Sequence, residues 1–176
     1  MFISSTGSNL LSAWLHGKTG DEKYRFTFDL LTLSASLFYG YNFLCPLLLY
    51  LSTTYILKFP QTLSVTQLIS IYGYTNVLWF PITLVNFLIV LTVDNSKHHV
   101  VLNVIEWFIV LVSGAVTGAS NLLKTTSIIK KNCFMLAESN TTINASNLHF
   151  RVMLVLAVAH FIFTLLVKIS FFGIYT

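Results

Sequence analysis

Residues 59–93 read FPQTLSVTQLISIYGYTNVLWFPITLVNFLIVLTV, 35 residues without one Asp, Glu, Lys or Arg. Upstream, the 32 residues between Arg25 and Lys58 hold a single charge, Asp29. Downstream, residues 100–123 hold only Glu106 and residues 152–175 only Lys168. A helix needs about 20 predominantly apolar residues to cross a hydrocarbon core of about 30 Å. Four stretches of that length predict an all-α fold, a polytopic transmembrane helix bundle. Its spans are expected over residues 28–51, 68–93, 100–123 and 152–175, in one domain covering residues 1–176.

Composition agrees with that reading. The 176 residues are 55% hydrophobic and 9% charged, with a mean hydropathy of +0.76. A soluble domain carries about 25% charged residues, so too few charges are present to solvate a water-facing surface of this size. The net charge of +4 is spread over short connections. That argues against a nucleic-acid partner; basic residues beside spans set topology or touch anionic lipid. Cys45 falls within a span and Cys133 beside Lys130 and Lys131, so no disulfide or zinc spacing is expected. Cys133 is a juxtamembrane thiol of the kind that is S-palmitoylated, with an unmodified cysteine the simpler reading. Residues 1–15, MFISSTGSNLLSAWL, lack the basic start and apolar run of a signal peptide. They read as the remnant of a fifth span.

Within the spans, Pro46 and Pro81 each remove a backbone donor, so bends are expected there. Tyr72 and Tyr74 fit an interfacial aromatic belt, and Gly73 between them fits a close packing contact. Gly114 and Gly118 are four apart, on one helix face, where a second backbone can approach closely. Lys168 lies near the end of the last span and is expected to snorkel to the interface along its aliphatic stem. The polar stretch 124–151 is expected to be the one long loop.

Ionisable groups inside membranes are usually functional, which marks Glu106 and His160. They could form a proton relay or a polar clasp between helices. Alternatively Glu106 lies wet at the headgroups while His160 stays neutral and bonds a carbonyl. Asp94 could cap the following helix, and His98-His99 reads as a solvated turn. No nucleophile–base pair, phosphate loop or metal motif appears, so no catalytic residue, cofactor or metal is expected.

Residues 69–83, ISIYGYTNVLWFPIT, closely resemble the YGYS…P signature of the Yip-domain family, the Ypt/Rab-interacting membrane proteins of the early secretory pathway. The similarity extends upstream through Ala35, Tyr39, Tyr41, Pro46 and Leu47, and downstream through Trp107 and the small-residue run. Residues 7–16, GSNLLSAWLH, resemble the end of the family's first span. The pattern is most similar to that of the family's Golgi-resident branch. The resemblance implies a five-span bundle, here N-terminally truncated, since the family's long cytosolic region and its first-span Asp-Leu-Tyr-Gly-Pro motif are not in the sequence. It also implies a non-enzymatic role in ER–Golgi vesicle transport, with Rab/Ypt GTPases and sibling Yip proteins as partners. Tyr72, Gly73, Tyr74 and Pro81 become signature positions, serving helix packing or partner recognition.

By that resemblance, Lys58 and residues 124–151 face the cytosol. Counting Lys and Arg gives five on that side and four on the other, which hardly discriminates. The sequons Asn140-Thr141-Thr142 and Asn144-Ala145-Ser146 point the opposite way, because a lumenal loop there would be open to glycosylation. A small transporter or lipid-moving protein is the alternative function, with broken helices and polar groups lining a path.

Overall fold

A computed structural model describes residues 29–79, 81, 84–85, 99–140 and 142–172. All regular structure among them is helical. α1 is Asp29–Leu51, continued by a π-helical turn over Ser52–Ile56; α2 is Val65–Asn76, α3 His99–Ser139 and α4 Ala145–Phe172. Three helices are long and apolar enough to cross a membrane, over Ala35–Ile56, Asn103–Ser139 and Ala145–Ser170. Four full spans are therefore not seen among the described residues. The expected second span begins as α2, at Val65, and most of its second half lies outside them. So do the remnant at residues 1–15, Asp94 and the side chains of His98 and His99.

The largest departure from expectation is the connection between the last two spans. The polar stretch 124–151 is not a loop. α3 runs on to Ser139 and α4 already begins at Ala145. Two physical reasons stand in the sequence. No Gly or Pro occurs between residues 119 and 172, so neither of the two strongest helix breakers stops α3 at the end of its apolar run. In addition Thr125, Ile129, Asn132 and Cys133 recur at three- and four-residue spacing and are all buried, which gives α3 an inward face beyond the apolar run. The turn itself is made by asparagine side chains. Asn140 Oδ1 accepts from Thr142 N at 3.1 Å and from Thr142 Oγ1 at 2.7 Å. Asn144 Oδ1 accepts from Asn147 N at 3.1 Å, capping the first turn of α4.

α1 runs as α-helix through Pro46, which is buried inside it. The irregularity comes later, in the π turn, where Thr53 Oγ1 donates to Leu49 O at 2.8 Å. Leu57 N and Phe59 N then donate to Ser52 O and Thr53 O, each at 2.9 Å. Lys58 takes a left-handed φ of 52° as the chain reverses. Ser64 caps α2 by accepting from Gln67 N.

α3 and α4 pack antiparallel and form the most extensive helix pair; α1 lies against α2 and α4. The spacing of the charges fits lipid boundaries. At 1.5 Å per residue, about 27 Å of α3 separates Glu106 from Lys124, and about 26 Å of α4 separates Arg151 from Lys168. Both match the hydrocarbon thickness of about 30 Å. The 41 residues of α3 extend about 62 Å, so its C-terminal end projects past the slab. There Phe59, Leu63 and Leu68 pack with Ile129, Cys133 and Ala145 in an apolar cluster that reaches Leu156 just inside the slab. A second cluster, inside the slab, holds Trp79, Val110, Phe163 and Val167 against Leu37, Phe38 and Tyr41.

Candidate functional site

The most polar part of the slab interior lies where α3 meets α4. Ser113, Thr117, Asn121 and Thr125 follow one another at four-residue spacing and are all buried. Such residues form one ridge of a helix. Thr117 and Thr125 each return the hydroxyl to a carbonyl four residues back, at 2.8 Å. Gly114 and Gly118 stand on the same side. A Cβ at Gly118 would lie 2.6 Å from His160 Cδ2, and one at Gly114 would overlap the Thr164 side chain. The two glycines are therefore what lets α4 sit against the α3 backbone.

His160 is 6% exposed and lies at the centre. Its Nε2 is 3.0 Å from Gly114 O and 3.1 Å from Thr117 Oγ1. Its Nδ1 is 2.7 Å from Tyr41 Oη. A carbonyl can only accept, so Nε2 carries the proton and donates to Gly114 O. Nδ1 is then free to accept from the Tyr41 hydroxyl. Every one of these bonds is made with a neutral ring, which avoids placing a charge in mid-membrane. The Tyr41 ring stacks on Phe163 at 4.0 Å between centroids and lies 5.5 Å from the Tyr72 ring. Tyr72 Oη in turn accepts from Cys45 Sγ at 3.3 Å. Asn76 Nδ2 donates to Asn42 Oδ1 at 2.7 Å. Hydrogen bonds at His160 thus join α1, α3 and α4, and α2 is tied to α1 beside them by two separate bonds and the Tyr41–Tyr72 ring contact.

The signature residues of α2 divide between two faces. Tyr72 is 2% exposed and points inward with Leu68, Thr75 and Trp79, the three- and four-residue spacing of one helix face. It is not an interfacial ring. Tyr74 is 74% exposed, Pro81 is exposed, and a Cβ on Gly73 would meet nothing within 4 Å. Gly73 is therefore not a packing contact among the described residues.

Glu106 and His160 do not meet. Glu106 lies about 16 Å along α3 from Thr117, the residue level with His160. Its partner is Lys168, whose Nζ is 3.2 Å from Glu106 Oε2, 3.2 Å from Asn103 Oδ1 and 5.4 Å from the Trp107 ring centroid. Lys168 is 0% exposed. It does not snorkel; the carboxylate, amide and ring offer the ammonium enough to hold it inside. Sequence reasoning missed this pair, along with Tyr41, Thr117 and Thr164. Two signals were present: the four-residue polar row from Ser113 to Thr125, and opposite charges at matching depth on helices running in opposite directions.

A groove of about 350 Å³ runs between α1 and α4, lined by Ser36, Gly40, Tyr41, Leu44, Ile162 and Phe163 among others. Its rim leucines Leu44, Leu48 and Leu166 and its isoleucine Ile162 are exposed.

No protein-family model matches the chain, and no solved structure matches it. Among curated proteins, Protein YIP5 of Saccharomyces cerevisiae (strain ATCC 204508 / S288c) is 31% identical over 182 aligned positions, covering 97% of this chain and 53% of that protein. The chain thus spans about half the length of the curated relative it matches. The alignment takes in nearly the whole chain, so the chain belongs to the Yip family of membrane proteins.

Proposed function

We propose that this protein is a non-enzymatic integral membrane factor of ER–Golgi vesicle transport, acting from the Golgi membrane through contacts with Rab GTPases and sibling Yip proteins. The observation that carries the reading is the 31% identity over 97% of the chain. The site geometry supports it in a second way. Both ring nitrogens of His160 are engaged by the fold, so the buried polar centre binds helices to one another rather than leaving a base free for chemistry. In the proposed orientation Lys58, Lys124 and Arg151 face the cytosol, where a GTPase would be met. The test is affinity capture from Golgi membranes in mild detergent, followed by mass spectrometry, with the chain tagged at either end. Recovery of a Rab or a Yip relative is expected. Repeated capture without either would overturn the proposal, and a glycosidase-sensitive mobility shift traced to Asn140 or Asn144 would reverse the orientation.

A small transporter or lipid-moving protein is the second reading, and the groove between α1 and α4 favours it. The separation of Glu106 from His160 weighs against a shared ion path. Lipid flux in proteoliposomes that collapses on Gly40→Leu would support this second reading, and unchanged flux would sink it.

A further inference from the structure

The end of α3 that projects past the slab carries a concentration of unpaired cations. Lys124, Lys130 and Lys131 on α3, Arg151 on α4 and Lys58 on the preceding connection are all exposed. None of the five is in an ion pair among the described residues. Glu138 is the described acidic residue at this end, and it too is exposed. Along α3, residues 123, 124, 127, 130, 131, 134 and 138 are all exposed and share one arc of the helix. The opposite arc is buried against Phe59, Leu63 and α4. The cations are thus held by a packed core and cannot turn inward.

Two features separate this surface from a merely solvated one. Aromatic side chains are set among the charges: Phe134 is 48% exposed and Phe150 66%, and Lys130 Nζ lies 6.0 Å from the Phe134 ring centroid. The patch is also continuous with the lipid-facing surface through Leu123 and Leu154, 75% and 50% exposed. Depth agrees with this. Lys124 and Arg151 stand at the slab edge, and Lys130 and Lys131 lie about 9 and 10 Å further along the axis. The headgroup layer is about 5–8 Å thick, and an exposed charge is felt for a further ~8 Å at physiological salt.

We infer that this outer end is a binding surface for anionic phospholipid headgroups of the surrounding membrane. Lys124, Lys130, Lys131 and Arg151 bind the headgroup phosphates and carboxylates, and Phe134 and Phe150 rest in the interface. The inference does not depend on the trafficking role, and it concerns residues outside the His160 centre. A docking site for an acidic protein surface is the competing occupant; the exposed phenyl rings and the continuity with the acyl-facing surface favour lipid.

The test uses the full chain purified in mild detergent and equilibrated with equal phosphatidylserine and phosphatidylcholine, with retained lipid counted by native mass spectrometry. Wild type is expected to retain phosphatidylserine preferentially, and the preference should fall as salt is raised. The double variant K130Q/K131Q should lower it about thirtyfold, while K130R/K131R keeps it. Equal retention of the two lipids by wild type, a preference indifferent to salt, or one unchanged in K130Q/K131Q would each overturn the inference. Salt-sensitive binding of polyglutamate by wild type without any phosphatidylserine preference would assign the surface to protein and overturn it as well. The salt titration needs no variant, so a misfolded K130Q/K131Q leaves the inference testable.

Discussion

Two parts of the same helix pair are held together by opposite means. At the middle of the slab, α3 meets α4 through Gly114, Thr117 and Gly118 against His160 and Thr164, small and polar residues on both sides. Beyond the slab, the same two helices meet through Ile129, Cys133 and Ala145, with Phe59 and Leu63 added from the connection below. The difference follows from the solvent. Lipid tails are as apolar as leucine, so burying leucine between helices gains little there; close backbone approach and hydrogen bonds carry the contact. In water or headgroups, burying the same leucine is worth about 1.5–3 kcal/mol. Sequence therefore has to switch from a small, polar seam to an apolar one at the depth where the medium changes, and it does so close to Lys124.

The strongest way to break this contrast is to enlarge the seam. Gly118→Leu cannot be accommodated unless His160 leaves its place, because even a Cβ falls 2.6 Å from the ring. Loss of the packed α3–α4 pair is expected, read as rapid proteolysis in mild detergent and the disappearance of a cooperative melt. Gly73→Leu is the control, since nothing lies within 4 Å of its Cβ position; its melting temperature should stay within a degree or two of wild type, a shift of under about 0.5 kcal/mol. Equal damage from the two substitutions would refute the packing assignment.

Next in size is the ion pair at the far edge of the slab. Lys168→Met leaves the Glu106 carboxylate, 13% exposed, without its cation, at a cost of about 3 kcal/mol. Adding Glu106→Gln should recover part of that loss, because a neutral amide is cheaper to keep at that depth. A double variant no more stable than Lys168→Met alone, in detergent denaturation, would show that the two side chains are not coupled.

The outer cluster responds to a cavity instead. Ile129 is 1% exposed, and Ile129→Ala is expected to cost about 2–4 kcal/mol. Val116→Ala, the same kind of truncation on a side chain that is 50% exposed to lipid, should cost well under 1 kcal/mol. Comparable losses at both positions would mean that the end of α3 beyond Lys124 lies in lipid rather than above it.

How much of this was legible in the sequence depended on the kind of signal. Hydropathy and charge located the α1, α3 and α4 spans and the helical class, because a helix in water needs charged residues on its outer face and 20 residues nearly bare of them leave lipid as the surrounding medium. They misplaced the end of α3. Lys130 and Lys131 made residues 124–151 look like a loop, whereas the unbroken absence of Gly and Pro, and the spacing of Thr125, Ile129, Asn132 and Cys133, carried the better information. The signature block was read as a unit, yet α-helical geometry sends Tyr72 inward and Tyr74 outward two residues later. The Lys168–Glu106 pair was hidden for another reason. Each residue had an acceptable fate alone, one snorkelling and one wet, and only the antiparallel register of α3 and α4 puts them at the same depth.

The smallest effect in the comparison concerns the hydrogen bonds of the seam. Tyr41→Phe removes the donor to His160 Nδ1 while leaving the ring stack on Phe163 intact. Thr117→Val removes one of two neighbours of Nε2, and Gly114 O remains to take that proton. The first leaves a buried acceptor unpaired and the second does not. Interhelical side-chain hydrogen bonds in membranes average about 0.6 kcal/mol, with a ceiling near 1.7. Tyr41→Phe should therefore fall toward the upper figure and Thr117→Val at or below the lower. If the order were reversed in reversible detergent unfolding, His160 would carry its proton on Nδ1 and donate to Tyr41 Oη, while Nε2 would accept from Thr117 Oγ1 and Gly114 O would lose its donor from the ring.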